Sequence, residues 1–242
     1  MRRPDAVLFD LWGTLISSDS FDPGRGNEAL LAASENPHGV TAGQIQELGG
    51  RVVSALEGRE DGSALEFTQA CLLRIIEDSF DLRFRKPLLE IEWDFWQAAL
   101  SVHLIEGIAE VLPVIESRGI RMGVISNSSF AAATLERELD RHGIRTCFGF
   151  VISSADYGVR KPDPLIFEVA LRRLGLDASH AWFAGDNVGY DVIGARSAGI
   201  FPVAFRPRKE IPADIGVHAV ISQWSELISL IGAAGEGGGP AA

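Results

Sequence analysis

The sequence predicts an α/β fold, a parallel sheet held between helices, with an all-helical domain inserted after the first strand. Three observations carry this expectation. Short apolar runs recur at residues 7–9, 120–125, 148–152, 181–184 and 200–205, with helical segments between the later ones. Alternation of that kind marks a sheet covered on both faces. Several of these runs lead straight into hydroxyl or carboxylate side chains, at the strand ends where open sheets bind their ligands. Residues 27 to about 102 then break the pattern and read as helical throughout.

Taken in order, residues 4–15 form the first strand and a Gly-containing turn. Residues 17–26, Ser-Ser-Asp-Ser-Phe-Asp-Pro-Gly-Arg-Gly, read as a loop. Thr41 and Gln44 have capping-box spacing ahead of a helix ending near Leu56, and Ser63 and Glu66 repeat it. Leu72, Ile75, Ile76 and Phe80 mark one helical face. Pro87 opens a third segment with Leu88, Ile91, Phe95 and Ala98 on a face and Trp93 and Trp96 beside it. The core is expected in residues 1–15 and 104–231, and the inserted domain in 16–103. Within the core, a helix over 105–117 contains Pro113, which should kink it or move its start. Further helices are expected over 131–142, 165–174, 191–198 and 225–231, with a short last strand at 219–221. Asp163-Pro164 suits an N-cap followed by the first helical residue. Residues 232–242 are mostly Gly and Ala and read as a flexible tail.

Composition sets limits. The chain has 242 residues, 46% of them hydrophobic, and a formal charge of −11. The acidic balance argues against nucleic acid or an anionic membrane surface as partner. No apolar run approaches the ~18 residues of a membrane span. Cys71 and Cys147 lack metal-ligand spacing and are expected as buried free thiols. A soluble cytoplasmic protein, monomer or homodimer, acting on a small molecule is the expectation.

Asp10 ends the first apolar run. A carboxylate there is a candidate nucleophile or metal ligand, or simply a turn-capping Asp. Four features in order then resemble the haloacid dehalogenase superfamily: Asp10-x-x-x-Thr14, Ser126 after a strand, Lys161 before a Pro, and Gly185-Asp186 with Asp191. The resemblance spans residues 7 to about 205. It implies a Rossmann-like core with a helical cap inserted after the first motif, closing over the site. It also implies roles. Asp10 is the nucleophile and Thr14 its supporting hydroxyl. Ser126, with Asn127 beside it, and Lys161 bind substrate oxygens, and Lys161 neutralises charge. Asp10, Asp186, Asp191 and the backbone carbonyl of Trp12 hold Mg²⁺, a hard cation suited to oxygen ligands. Asn187 is a further candidate near the metal.

One position departs from the pattern. Phosphatases of this superfamily carry a second Asp two residues after the nucleophile, as general acid and base. Here that position is Trp12, whose indole offers only an N–H donor. The favoured expectation is a Mg²⁺-dependent phosphatase of a small phosphorylated metabolite, working through an aspartyl-phosphate without a strong proton shuttle. A 2-haloacid dehalogenase, whose halide leaves without a proton, fits Trp12 but not Asp186 and Asp191. A phosphonate hydrolase would use a cap lysine, and only Lys86 is available. His38 and His103 are possible proton donors, with surface roles the plainer expectation. A weakly active or non-catalytic metal-dependent binding protein is the remaining alternative.

Overall fold

The computed structural model describes residues 2–57, 66–212, 215 and 219–236. The chain runs β1 (Ala6–Phe9), β2 (Ile16–Phe21), α1 (Pro23–Ala32), β3 (Ser34–Glu35), α2 (Ala42–Glu57), α3 (Gln69–Phe80), β4 (Arg83–Phe84), α4 (Leu88–Ala99) and β5 (Leu100–Leu104). It continues α5 (Ile108–Ser117), β6 (Arg121–Ser126), α6 (Ala132–Arg141), β7 (Val151–Ser153), α7 (Ser154–Tyr157), α8 (Pro164–Leu174), β8 (Ala181–Gly185), α9 (Ile193–Ser197), β9 (Phe201–Phe205), β10 (Ala219–Ile221) and α10 (Trp224–Glu236).

Six strands form one parallel sheet in the order β10-β9-β8-β1-β6-β7. From β1 the chain winds outward through β6 and β7, then returns to build β8, β9 and β10 on the other side. The winding therefore reverses between β1 and β8, and the crevice for a ligand opens there, beyond the carboxyl ends. The fully buried β1 explains its apolar run. Val7 and Phe9 face a cluster with Leu112, Trp224 and Leu227, while Ala6 and Leu8 face one with Phe167, Ala170 and Ala195. With both faces covered and neighbours on both sides, only the residue after Phe9 meets the crevice.

The insert between β1 and α5 has its own core of Leu30, Ile45, Leu73, Ile76, Ile91 and Phe95. The capping box at its second helix is present: Thr41 N–H donates to Gln44 Oε1 at 2.9 Å and Gln44 N–H to Thr41 Oγ1 at 3.3 Å. The second expected capping box begins outside the described residues. The insert is not all-helical. β2 pairs antiparallel with β5, Ile16 opposite Leu104, so its entry and exit strands are zipped together, and β3 pairs with β4. Ser17 to Ser20, expected as loop, thus extend because a partner strand some eighty residues away pairs with them. The buried face of α4 ends on Ala99 rather than Ala98, and Leu73 joins Ile76 in the core of α3.

Other boundaries shift for local reasons. α5 starts at Ile108, after Gly107 in a left-handed conformation, and continues through Pro113 to Ser117. Asp163 caps α8 by accepting from Leu165 N, as its sequence indicates. α10 runs past Ile231 to Glu236, because Ala234 is buried against the first cluster; the remaining tail residues lie outside the described ones. Cys71 is exposed and Cys147 half-buried, so neither is the buried thiol expected, although both are free. Among the described residues no helix is long and apolar enough to cross a membrane.

Candidate active site

Asp10 follows β1 directly. Its N–H donates to Ala184 O on β8 at 2.9 Å, fixing the backbone as it leaves the sheet. The chain then folds back, with Leu15 and Ile16 N–H both donating to Leu11 O at 2.9 and 3.0 Å. Gly13 makes this turn possible at φ +75°, a region costly for a side chain. A Cβ there would also collide with the Asp186 carboxylate. The turn returns Thr14, fully buried, to donate from Oγ1 to Asp10 Oδ2 at 3.2 Å.

Lys161 arrives from the other side of the sheet, ahead of α8. Its Nζ donates to Asp10 Oδ1 at 2.6 Å and to Asp191 Oδ1 at 2.7 Å, and its side chain is 1% exposed. Burial works against its charge, but Asp10 and Asp191 outweigh that and hold the ammonium above the usual lysine range. Asn127, after β6, fixes the lysine's backbone. Its Nδ2 donates to Lys161 O and its Oδ1 accepts from Lys161 N, both at 2.8 Å. The amide expected to face substrate is thus engaged as a clamp on Lys161.

Asp186 follows β8. Asp191 sits in the wide turn Val188–Val192 before α9, where Asn187 N–H donates to its Oδ2 at 2.9 Å. Gly185 is required: a Cβ there would collide with the Asp191 carboxylate. Asp10, Asp186 and Asp191 are all buried, and one oxygen from each lies within 4.8 Å of the others. Burial, opposed by Lys161 and aided by Asp10, pushes the Asp191 carboxyl up to about 7. Burial and the Asp10 charge also raise Asp186, against the pull of Arg208. Arg208, between β9 and β10, donates from Nε to Asp186 Oδ2. Sequence reading missed it, since it lies outside the four motifs and near no other signal. Ser126 Oγ, fully buried at the end of β6, has no hydrogen-bond partner among the described residues.

The insert forms the surroundings. Trp12 is half-buried, its ring 5.5 Å from that of Trp96 on α4. Trp96 Nε1 donates to the buried Glu138 of α6 at 2.8 Å. Glu92 of α4 accepts from Ala131 N at 2.8 Å and Thr134 Oγ1 at 2.5 Å, at the start of α6. Gln69 N–H donates to Ser129 O at 2.7 Å, and Ser154 Oγ to Glu66 Oε2 at 2.7 Å. The insert therefore rests on the loops that follow β6 and β7, beside the carboxylates. His38, His103 and Lys86 instead pair at the surface with Asp81, Asp19 and Asp94.

Residues 4–199 match the family model of haloacid dehalogenase-like hydrolases. The chain belongs to this family. Among curated proteins it is 29% identical over 206 residues to an (S)-2-haloacid dehalogenase of Pseudomonas sp. (strain YL), covering 82% of this chain and 81% of that one. It is 26% identical over 207 residues to a phosphoglycolate phosphatase of Pseudomonas fluorescens (strain Pf0-1), covering 82% and 68%. Among solved structures, a 2-haloacid dehalogenase from Pseudomonas syringae pv. Tomato DC3000 superimposes with TM-score 0.65 at 25% identity, over 96% of this chain and 99% of that one. The family is a family of hydrolases, and the relatives named here include both a dehalogenase and a phosphatase.

Proposed function

We propose that this hydrolase is a Mg²⁺-dependent phosphatase of a small phosphorylated metabolite. The observation that carries this is the cluster of Asp10, Asp186 and Asp191. Three buried carboxylates share a space under 5 Å across, and among the described residues only the cations Lys161 and Arg208 offset them by direct contact. Such a cluster is costly without a further positive charge. Its hard oxygen donors fit Mg²⁺, which would be held by the three carboxylates and by the Trp12 carbonyl that the family pattern adds. When bound, the ion supplies positive charge that offsets the carboxylates and the oxygens of a transferring phosphoryl group.

The chain's own residues then act as follows. Lys161 and Thr14 orient the Asp10 carboxylate, so that one oxygen attacks phosphorus. An Asp10 O–P bond forms as the bond to the leaving oxygen breaks. Lys161 Nζ, held beside the Asp10 carboxylate, would also donate to a non-bridging oxygen. Ser126 Oγ, buried without a partner among the described residues, is a donor for another. Water then hydrolyses the aspartyl-phosphate, releasing phosphate and restoring Asp10. Trp12 transfers no proton, so leaving-group protonation and water activation are the slow steps. The insert acts as a cap that excludes water and selects the substrate. Cytoplasmic location, with both thiols free, and a monomeric or homodimeric state complete the proposal.

Trp12 favours one competing reading, a 2-haloacid dehalogenase, in which Asp10 attacks carbon and halide departs unprotonated. Replacing Asp186 with Ala separates the two. Loss of phosphate release together with its Mg²⁺ dependence supports the phosphatase; unchanged turnover refutes the metal assignment.

A further inference from the structure

One cation at the site belongs to none of the four motifs. The Arg208 side chain is 68% exposed, yet its Nε donates to Asp186 Oδ2, whose side chain is 7% exposed. The Arg208 N–H donates to the Asp186 carbonyl at 3.3 Å, so main chain and side chain converge on one residue. The guanidinium also extends over the nucleophile turn, where a Cβ at Gly13 would collide with it. The division of labour among the cations is informative. Lys161, enclosed, binds Asp10 and Asp191. Asp186 is served by Arg208 from the surface.

We propose that Arg208 is a displaceable counter-cation. It neutralises Asp186 while the cluster holds no divalent ion, and it must release Asp186 for Mg²⁺ to bind. This rests on the metal site proposed above. A buried carboxylate needs a positive partner, and a guanidinium and a divalent ion compete for the same oxygens. The guanidinium is itself solvent-exposed and stays hydrated on leaving, and the incoming ion takes over the charge of Asp186, so the exchange costs little. Lys161, packed inside the site, has no such freedom. Arg208 therefore sets how much Mg²⁺ the site needs, without itself touching substrate.

The test is calorimetric titration of the purified wild-type chain, Arg208→Gln and Arg206→Gln with Mg²⁺ alone. Arg206 is the control for the general field, since its Nε donates to Ser222 O instead of to the site. Arg208→Gln is expected to bind Mg²⁺ roughly 1.5- to fivefold more tightly, the size of an exposed ion pair, with Arg206→Gln unchanged. Equal or weaker binding by Arg208→Gln overturns the proposal while leaving the metal site intact. Equal tightening by both variants also overturns it, since the effect would then be long-range charge. Absence of Mg²⁺ binding in all three proteins refutes the metal site itself, and this inference with it.

Discussion

Asn127→Ala removes the clamp on Lys161, and its effect follows from two hydrogen bonds. The side chain donates to Lys161 O and accepts from Lys161 N, both at 2.8 Å. Losing both leaves a main-chain donor and acceptor without partners next to a buried lysine. At about 1–2 kcal/mol for each such group, the expected loss of stability is roughly 2–4 kcal/mol. For a chain of this length that lowers the melting temperature by about 4–16 °C. The lysine's Nζ must also meet Asp10 and Asp191 together, so a small shift of its backbone disturbs both contacts. Misplacement of about 1 Å costs on the order of 10²-fold in turnover. Thermal unfolding and steady-state kinetics of the same preparation read the two effects. A fall in melting temperature together with a fall in kcat is expected. An unchanged melting temperature with only a raised KM would refute the clamp and restore Asn127 to the substrate.

Gly13→Ala places a methyl group at φ +75°, against Asp186; a loss of about 1–2 kcal/mol from backbone strain alone is expected in denaturant titrations, along with weakened Mg²⁺ binding. Glu92 holds its proton more strongly in the folded protein than an ordinary carboxyl, because burial outweighs its bonds from Thr134 and Ala131. The folded state therefore retains this proton above the ordinary value, where the unfolded chain has lost it, so its contribution is present at low pH and lost as pH rises through the folded value. Glu92→Gln removes that slope, and chemical denaturation at pH 4 and pH 7 should show the variant gaining on wild type as pH rises; parallel profiles would contradict the direction. Trp12→Asp installs the missing acid and base. Such groups contribute ~10²–10⁴ in rate, so at least a tenfold gain in release of phosphate from an unactivated ester is expected, and no gain would indicate that leaving-group protonation is not limiting.

Much of this site was legible because of one property of the fold. Asp10, Ser126, Lys161 and Asp186 each lie where a strand ends or the next helix begins, and parallel strands bring such ends to one edge. Local sequence therefore placed them together without knowledge of any contact. What it missed depends on distant partners. Ser17 to Ser20 look like a turn, and become strand only because residues 100–104 pair alongside. Asn127 sits beside Ser126 in sequence, and only its 2.8 Å bonds show that it serves Lys161. Arg208 is one arginine among many until the fold lays it over Asp186. Glu92 and Glu138 look like solvated helix charges, yet they lie buried where the insert meets α6. Ala234 joins the core although its Gly- and Ala-rich surroundings read as tail.

In the proposed phosphatase the three carboxylates hold a cation for phosphoryl transfer. The most direct test incubates wild-type protein with an activated aryl phosphate and, in parallel, with short 2-haloacids, each with Mg²⁺ and with a chelator. Phosphate and halide release are both followed, and Asp10→Asn is the control. Phosphate release that requires Mg²⁺ and disappears in Asp10→Asn is the predicted result. Halide release that persists in the chelator, without phosphate release, would contradict the phosphatase assignment and make Trp12 the decisive residue of the site.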